Sequence, residues 1–246
     1  MKIAVPDHPL YAPLLAHAKD VCAERGWELV YAPIEQCGAM LFTHAVDAAL
    51  VSPMGYGRGV TKVDYRIVAG PALMLYEFTN VAGITFAPSA VALRTADSRT
   101  PSEFLVTLGM LVLSEKLDVV LSMQSVGDAP ADCSINLWSA GAGFAMDVSE
   151  EWFDLTDAPL PTAIWTCRVE ADLDAVSAAV AAMADGTTEL PVSEMAVPGA
   201  EHIPREGRIG FRWTDESEEA LAAVLDMLYF HQLFPEIPAV KLLGRD

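Results

Sequence analysis

IAVPDHPLYAPLLAHAKDVCAERGWELVYAPIEQCGAMLFTHAVDAALVSP, residues 3–53, decides the fold class. Three short apolar runs, Ile3 to Val5, Trp27 to Ala32 and Asp47 to Val51, read as strands. Two stretches of helical length separate them: Leu10 to Glu24, closed by Gly26, and Pro33 to about Thr43. This strand-helix-strand-helix-strand order predicts an α/β protein with a parallel sheet and right-handed crossovers. Ligands of such sheets sit beyond the carboxyl ends of the strands. That rule puts Asp7, His8, Ser52, Met54 and Tyr56 on one edge.

Outward from that block, Tyr65 to Leu75 and Val81 to Ala87 read as strands joined around Glu77-Phe78-Thr79-Asn80. In Ser98-Arg99-Thr100-Pro101-Ser102-Glu103, Thr100 reads as an N-cap, Pro101 as the first helical residue and Glu103 as the partner of a capping box. The helix is predicted to reach Leu113 or Glu115. Asp118 to Met123 and Asp132 to Trp138 read as strands, and Ser139 to Gly143 as a loop.

The stretch DVSEEWFDLTDAPLPTAIWTCR, residues 147–168, reads as an amphipathic helix, a stiff turn and a buried strand. Val148, Trp152 and Leu155 form its apolar face, and Glu150 and Glu151 read as a solvated first turn. Leu173 to Ala184 is predicted as a helix, 188–205 as loop, and Gly210 to Trp213 as a strand. A final helix runs to about Phe230, capped by Thr214 or Asp215.

At 246 residues and 52% apolar content the chain can bury a sizeable core. Its net charge of −19 argues against nucleic acid as a partner, because such proteins present basic faces. A small carboxylate is compatible with it, since a few local donors suffice. No apolar run is long enough to span a membrane. Met1-Lys2 leads directly into the first strand, so a cytoplasmic protein is expected. Cys22, Cys37, Cys133 and Cys167 show no C-x-x-C spacing and read as free buried thiols. No P-loop, G-x-G-x-x-G after the first strand, H-E-x-x-H or G-x-S-x-G is present. Gly55-Tyr-Gly-Arg-Gly59 reads as a turn.

The order of residue types in 147–168 resembles a signature of the menaquinone-biosynthesis family of the futalosine pathway, carried by Asp147, Glu150, Trp152, Leu155, Thr156, Pro159, Ala163 and Trp165. Asp157 and Ala158 replace the glycine and leucine usual there. Asp47-Ala-Ala-Leu-Val-Ser-Pro, Asp64-Tyr-Arg-Ile-Val-Ala-Gly-Pro-Ala, and Val91-Ala-Leu with Ser98 to Ser102 are similar to the family in the same order. The Ala163-x-Trp165 ending leans toward its chorismate dehydratase branch. The resemblance implies a two-lobed fold like type II periplasmic binding proteins, with a ligand cleft between lobes. Residues 1–87 and 164–246 would form lobe I, and 88–163 an inserted lobe II. It implies conversion of chorismate to 3-[(1-carboxyvinyl)oxy]benzoate by loss of water, with no metal or cofactor.

By the same resemblance, Ser52 belongs to a first-lobe binding loop, Thr79 and Asn80 to a polar turn that handles substrate, and Ser98 and Thr100 to a hydroxyl-rich corner. Tyr56 and Arg99 are further candidates, Arg99 through two-point pairing with a carboxylate. The family's asparagine in a "Y-L-N-x-x-P" turn falls on Leu10, so Asp7 and His8 are the candidates to replace it. A non-catalytic carboxylate-binding protein of the same fold and a sibling enzyme of the pathway are the alternatives. Oligomeric state is left open, a homodimer included.

Overall fold

The computed structural model describes residues 1–127, 130–137, 144–195 and 203–244. In chain order the elements are β1 (Lys2–Pro6), a 3-10 turn (Pro9–Tyr11), α1 (Ala12–Leu15), α2 (Ala18–Glu24), β2 (Glu28–Ala32), α3 (Ile34–Phe42), β3 (Ala48–Val51), α4 (Pro53–Val60) and β4 (Tyr65–Glu77). Next come β5 (Ala82–Phe86), β6 (Thr95–Asp97), α5 (Phe104–Leu117), β7 (Ser122–Gln124), β8 (Cys133–Leu137), β9 (Met146–Asp147) and α6 (Val148–Thr156). The chain ends with β10 (Leu160–Arg168), α7 (Leu173–Met183), β11 (Glu189–Ser193), β12 (Glu206–Arg212) and α8 (Ser217–Phe230). Trp138, at the end of one expected strand, and the loop expected at 139–143 lie outside the described residues, as does 196–202 within the loop expected at 188–205.

Two compact units make up the chain: Met1–Met74, Pro161–Leu190 and Gly210–Asp246 form the first, Leu75–Leu160 and Pro191–Ile209 the second. The sequence boundaries stood at 87 and 163, with nothing after 163 assigned to the second lobe. The added piece is the β11–β12 connection. Its base is closed by Glu194, whose N–H donates to the Arg205 carbonyl at 2.8 Å.

The first unit carries a seven-stranded sheet in the order β11-β12-β4-β10-β3-β1-β2. β1 runs parallel to β2 and β3, with Ala4 opposite both Val30 and Ala49. β10 is antiparallel to β3, with Trp165 opposite Leu50, so the sheet is mixed and not wholly parallel. The parallel rule follows from crossover helices, and none joins β3 directly to β10. β10 is buried along Leu160–Cys167, as its apolar run requires.

Three local readings change in this unit. The single helix expected over residues 10–24 is broken at Ala16–His17, where His17 N–H donates to the Met183 carbonyl at 2.9 Å. The glycine-rich stretch 55–59 is helical, not a turn. Gly38 and Gly55 pack backbone to backbone, Gly57 lies under Phe234 and Leu225, and Gly59 lies against the Tyr65 ring. At Gly57 and Gly59 close packing, not backbone freedom, leaves no room for a side chain. α8 begins at Ser217 with no side-chain cap; the Ser217 hydroxyl instead accepts the Thr214 N–H at 2.8 Å.

The second unit carries a five-stranded sheet in the order β7-β6-β8-β5-β9. β5 is antiparallel to β8 and β9, and β6 is parallel to β7 and β8. α5 starts at Phe104, later than the expected Pro101. Glu103 is extended and offers no side-chain cap. Thr100 instead closes a turn, accepting the Glu103 N–H at 3.0 Å. The helix begins where burial begins, at Phe104 and Leu105.

α6 buries Val148 and Trp152, while Leu155 is 38% exposed. Glu150 and Glu151 are not a solvated face. Glu151 pairs with Lys116 of α5, and Glu150 pairs with Arg205 at 3.1 Å.

Substituting Gly57→Ala tests the packing account. Helix propensity favours alanine by about 1 kcal/mol, but a methyl group would meet Phe234 and Leu225, and overpacking costs about 1–3 kcal/mol. Urea unfolding should show a net loss of up to about 2 kcal/mol; a more stable variant would refute the account.

Candidate functional site

At the carboxyl edge of the first unit's sheet, β1 and β3 end side by side. Ile3 and Ala4 pair with Ala48 and Ala49, and continuing that register sets Pro6 level with Val51. Asp7-His8 and Ser52 therefore leave neighbouring strands at the same edge. Asp7 and His8 are exposed. His8 caps the 3-10 turn, its Nδ1 accepting the Leu10 N–H at 3.2 Å, and its ring lies edge-on to Tyr11. Desolvation holds the imidazole below its ordinary pKa of 6.5, against the opposing charge of Asp7. Leu10 is buried among core side chains, so no amide stands at that point.

Ser52 is 3% exposed and caps α4, its Oγ accepting the Gly55 N–H at 3.2 Å. Tyr56, expected to face a ligand, is fully buried. Its hydroxyl donates to the Ala239 carbonyl at 2.7 Å and accepts the Lys241 N–H at 3.0 Å. Burial pushes its pKa up to about 12. The group anchors the C-terminal tail, which also bridges Ile67 through Leu242.

In the second unit, Ser98 is 3% exposed, and its Oγ accepts the Thr100 N–H at 3.1 Å. Arg99 and Thr100 are exposed. Because α5 starts at Phe104, neither Ser98 nor Thr100 sits at its N-terminus, and they offer a ligand hydroxyls without that helix's amides.

The turn between β4 and β5 is more closely held. Thr79 is buried, its Oγ1 2.7 Å from Ser149 Oγ. Asn80 is exposed with φ 54°, and its N–H donates to Asp147 Oδ2 at 2.8 Å. Asp147 has no exposed surface. Its Oδ1 caps α6, accepting the Ser149 N–H at 3.0 Å, the Glu150 N–H at 3.1 Å and the Ser149 hydroxyl at 2.6 Å. Burial pushes the carboxyl above its ordinary range, against these hydrogen bonds, which favour the anion. The sequence marked Asp147 as part of a helix start but not as a partner of Asn80, and it missed Ser149. The only signal was the D-x-S spacing ahead of an acidic first turn, which many ordinary N-caps share.

A separate open groove of about 450 Å³ in this unit is lined by Phe144, Glu150, Glu151, Asp154, Glu194 and Arg205. Arg205 is held there by Glu194 at 2.8 Å and by Glu150. An anion would have to displace both carboxylates. Among the described residues, no group of three His, Cys, Asp or Glu side chains is placed to hold a metal ion. No helix among them is long and apolar enough to cross a membrane.

No protein-family model and no curated protein matches this sequence. Solved structures do. Protein AF1704 from Archaeoglobus fulgidus aligns over 95% of this chain and 98% of its own at 10% identity and a TM-score of 0.60. The periplasmic aliphatic sulphonate binding protein SsuA from Escherichia coli aligns over 100% of this chain and 94% of its own at 11% identity and a TM-score of 0.57. The alkanesulfonate-binding protein SsuA from Xanthomonas axonopodis pv. citri, bound to MOPS, aligns over 98% and 96% at 12% identity and a TM-score of 0.50. The fold is periplasmic-binding-protein-like. Identities this low establish the fold alone.

Tyr56→Phe separates anchor from ligand contact. Loss of two buried hydrogen bonds should cost about 1–3 kcal/mol in urea unfolding and speed amide exchange at Lys241. Affinity for any ligand should stay within about twofold of the parent; a larger loss would restore Tyr56 to the site.

Proposed function

We propose that the protein binds a small carboxylate and acts on it as a carbon–oxygen lyase resembling chorismate dehydratase. The observation that carries this reading is the hydrogen bond from Asn80 N–H to Asp147 Oδ2, at 2.8 Å across 67 residues of chain. Both segments were singled out by the same family resemblance, and here they share one buried junction. The fold agrees with that resemblance.

The proposed reaction takes a proton and a hydroxyl group from the chorismate ring. The C–H electron pair becomes a ring π bond as the C–O bond breaks, and hydroxide and proton leave as water. Aromaticity supplies the driving force, so orientation in a dry site is the protein's main task. Ser98 accepts a backbone N–H, so the hydrogen of its hydroxyl is the part able to donate to a carboxylate. Thr100 and Arg99 would add donors. The Asn80 carboxamide would hold the reacting edge, with Thr79 behind it. The substrate's own enolpyruvyl carboxylate is the proposed proton acceptor. His8, with Asp7 beside it, is the protein's alternative; its lowered pKa favours the neutral ring, whose lone pair at Nδ1 would have to release the Leu10 N–H to take the proton.

A second reading is a carboxylate- or sulphonate-binding protein that leaves its ligand unchanged. Two observations favour it: the buried Leu10 where the family has an asparagine, and neighbours of the same fold that are named as sulphonate binders.

The deciding experiment incubates the purified protein with chorismate and follows products by chromatography with mass detection. A product lighter by one water, absent without protein, is expected. A thermal shift with chorismate or an alkanesulphonate but no turnover would select the second reading.

The pH profile tests His8. If it accepts the proton, kcat/KM should fall on the acid side with a midpoint below the ordinary 6.5, because protonation removes the acceptor and burial lowers the pH at which that happens. His8→Gln should abolish that acid limb. An unchanged limb would leave the substrate carboxylate as the acceptor.

A further inference from the structure

Two left-handed residues bracket the turn that carries Thr79. Glu77 and Asn80 both have φ of 54°. Asparagine tolerates this conformation, while glutamate seldom adopts it. Such outliers persist where the surrounding structure over-determines them, and they concentrate at ligand-contacting sites. Here the constraints come from two sides. On one side, Asp147 Oδ2 holds Asn80 N–H, and Ser149 Oγ lies 2.7 Å from Thr79 Oγ1 and 2.8 Å from the Glu77 carbonyl. On the other, the Arg205 guanidinium lies over the Phe78 ring at 4.5 Å, and Gly207 packs so closely on the Tyr76 and Phe78 backbone that a Cβ would not fit. Phe78 and Thr79 are thereby buried, while Asn80 stays exposed.

The geometry points to Asp147 and Ser149 as positioning residues that hold the Glu77–Asn80 turn so that the Asn80 carboxamide is presented to a carboxylate substrate. This role rests on the lyase reading of the same turn. The two oxygens of Asp147 have separate tasks: Oδ1 caps α6, and Oδ2 holds Asn80. A turn held before substrate arrives needs no ordering during binding, which lowers the entropic barrier to a productive geometry.

Asp147→Asn separates the two tasks. Asparagine caps a helix as well as aspartate does, so its oxygen can keep the α6 cap while its NH₂ faces the Asn80 N–H and cannot accept from it. In the chorismate assay, kcat/KM should fall about 10- to 100-fold. Amide exchange at Asn80 should lose its protection. In an Asn80→Ala background the same substitution should lower kcat/KM by less than about threefold, because the side chain it positions is gone. Ser149→Ala, which frees Thr79 and takes one hydrogen bond from Asp147 Oδ1 but leaves Oδ2 on the Asn80 N–H, should show the same dependence on Asn80 and replaces the first variant if that does not fold. Equal losses with and without Asn80 would overturn the positioning role, as would full activity or a still-protected Asn80 amide in Asp147→Asn. Wild-type protein that leaves chorismate unchanged would reject the lyase reading, and this role with it. A wild type that converts chorismate, with insensitive variants, would reject the positioning role alone.

Discussion

A carboxylate with no exposed surface is costly unless every lone pair finds a donor. Asp147 meets that condition with four hydrogen bonds, and their donors belong to different parts of the second unit. Three come from the start of α6 and one from the turn that leads into β5. The same two parts are joined again by Arg205, which pairs with Glu150 of α6 and covers Phe78 of the turn. The end of β4, the start of β5 and the first turn of α6 therefore form one junction. Altering the buried charge would disturb all three.

The serines at strand ends show a different economy of design. Ser52 and Ser98 each satisfy a nearby backbone N–H and are almost covered. Such a hydroxyl is held in one orientation by its structural bond and still has a hydrogen to offer. Tyr56 shows the contrary case. Its hydroxyl both donates and accepts within the protein, so its chemistry is taken up by the tail. From the sequence, these three hydroxyls looked alike.

Much of the fold was legible because alternation of apolar runs with helical stretches is local. β1, β2 and β3, their parallel pairing and the edge shared by Asp7, His8 and Ser52 all follow from that pattern. Gly26 ends α2 with φ 64°, as a glycine after a helix should. The errors fall where a local signal met a competing partner. Thr100-Pro101-Ser102-Glu103 has the spacing of a capping box, yet it forms a turn, and burial starts the helix at Phe104. The glycines of 55–59 suggested a turn, yet at Gly57 and Gly59 neighbours pack too closely to admit side chains. Glu150 and Glu151 suited a solvated first turn, yet basic groups from α5 and from the β11–β12 connection reach them.

The sequence by itself determined the class of architecture and marked the segments that could form a site. These depend on residue type and spacing, which a linear chain displays directly. Tertiary structure alone decided which of those residues meet. Asn80 and Asp147 lie 67 positions apart, and only the folding of β5 beside β9 brings the turn before the one to the end of the other. It also made the sheet mixed through β10 and assigned the Tyr56 hydroxyl to the tail. A hydrogen bond depends on distance and direction in space, and a sequence carries neither until the strands are paired.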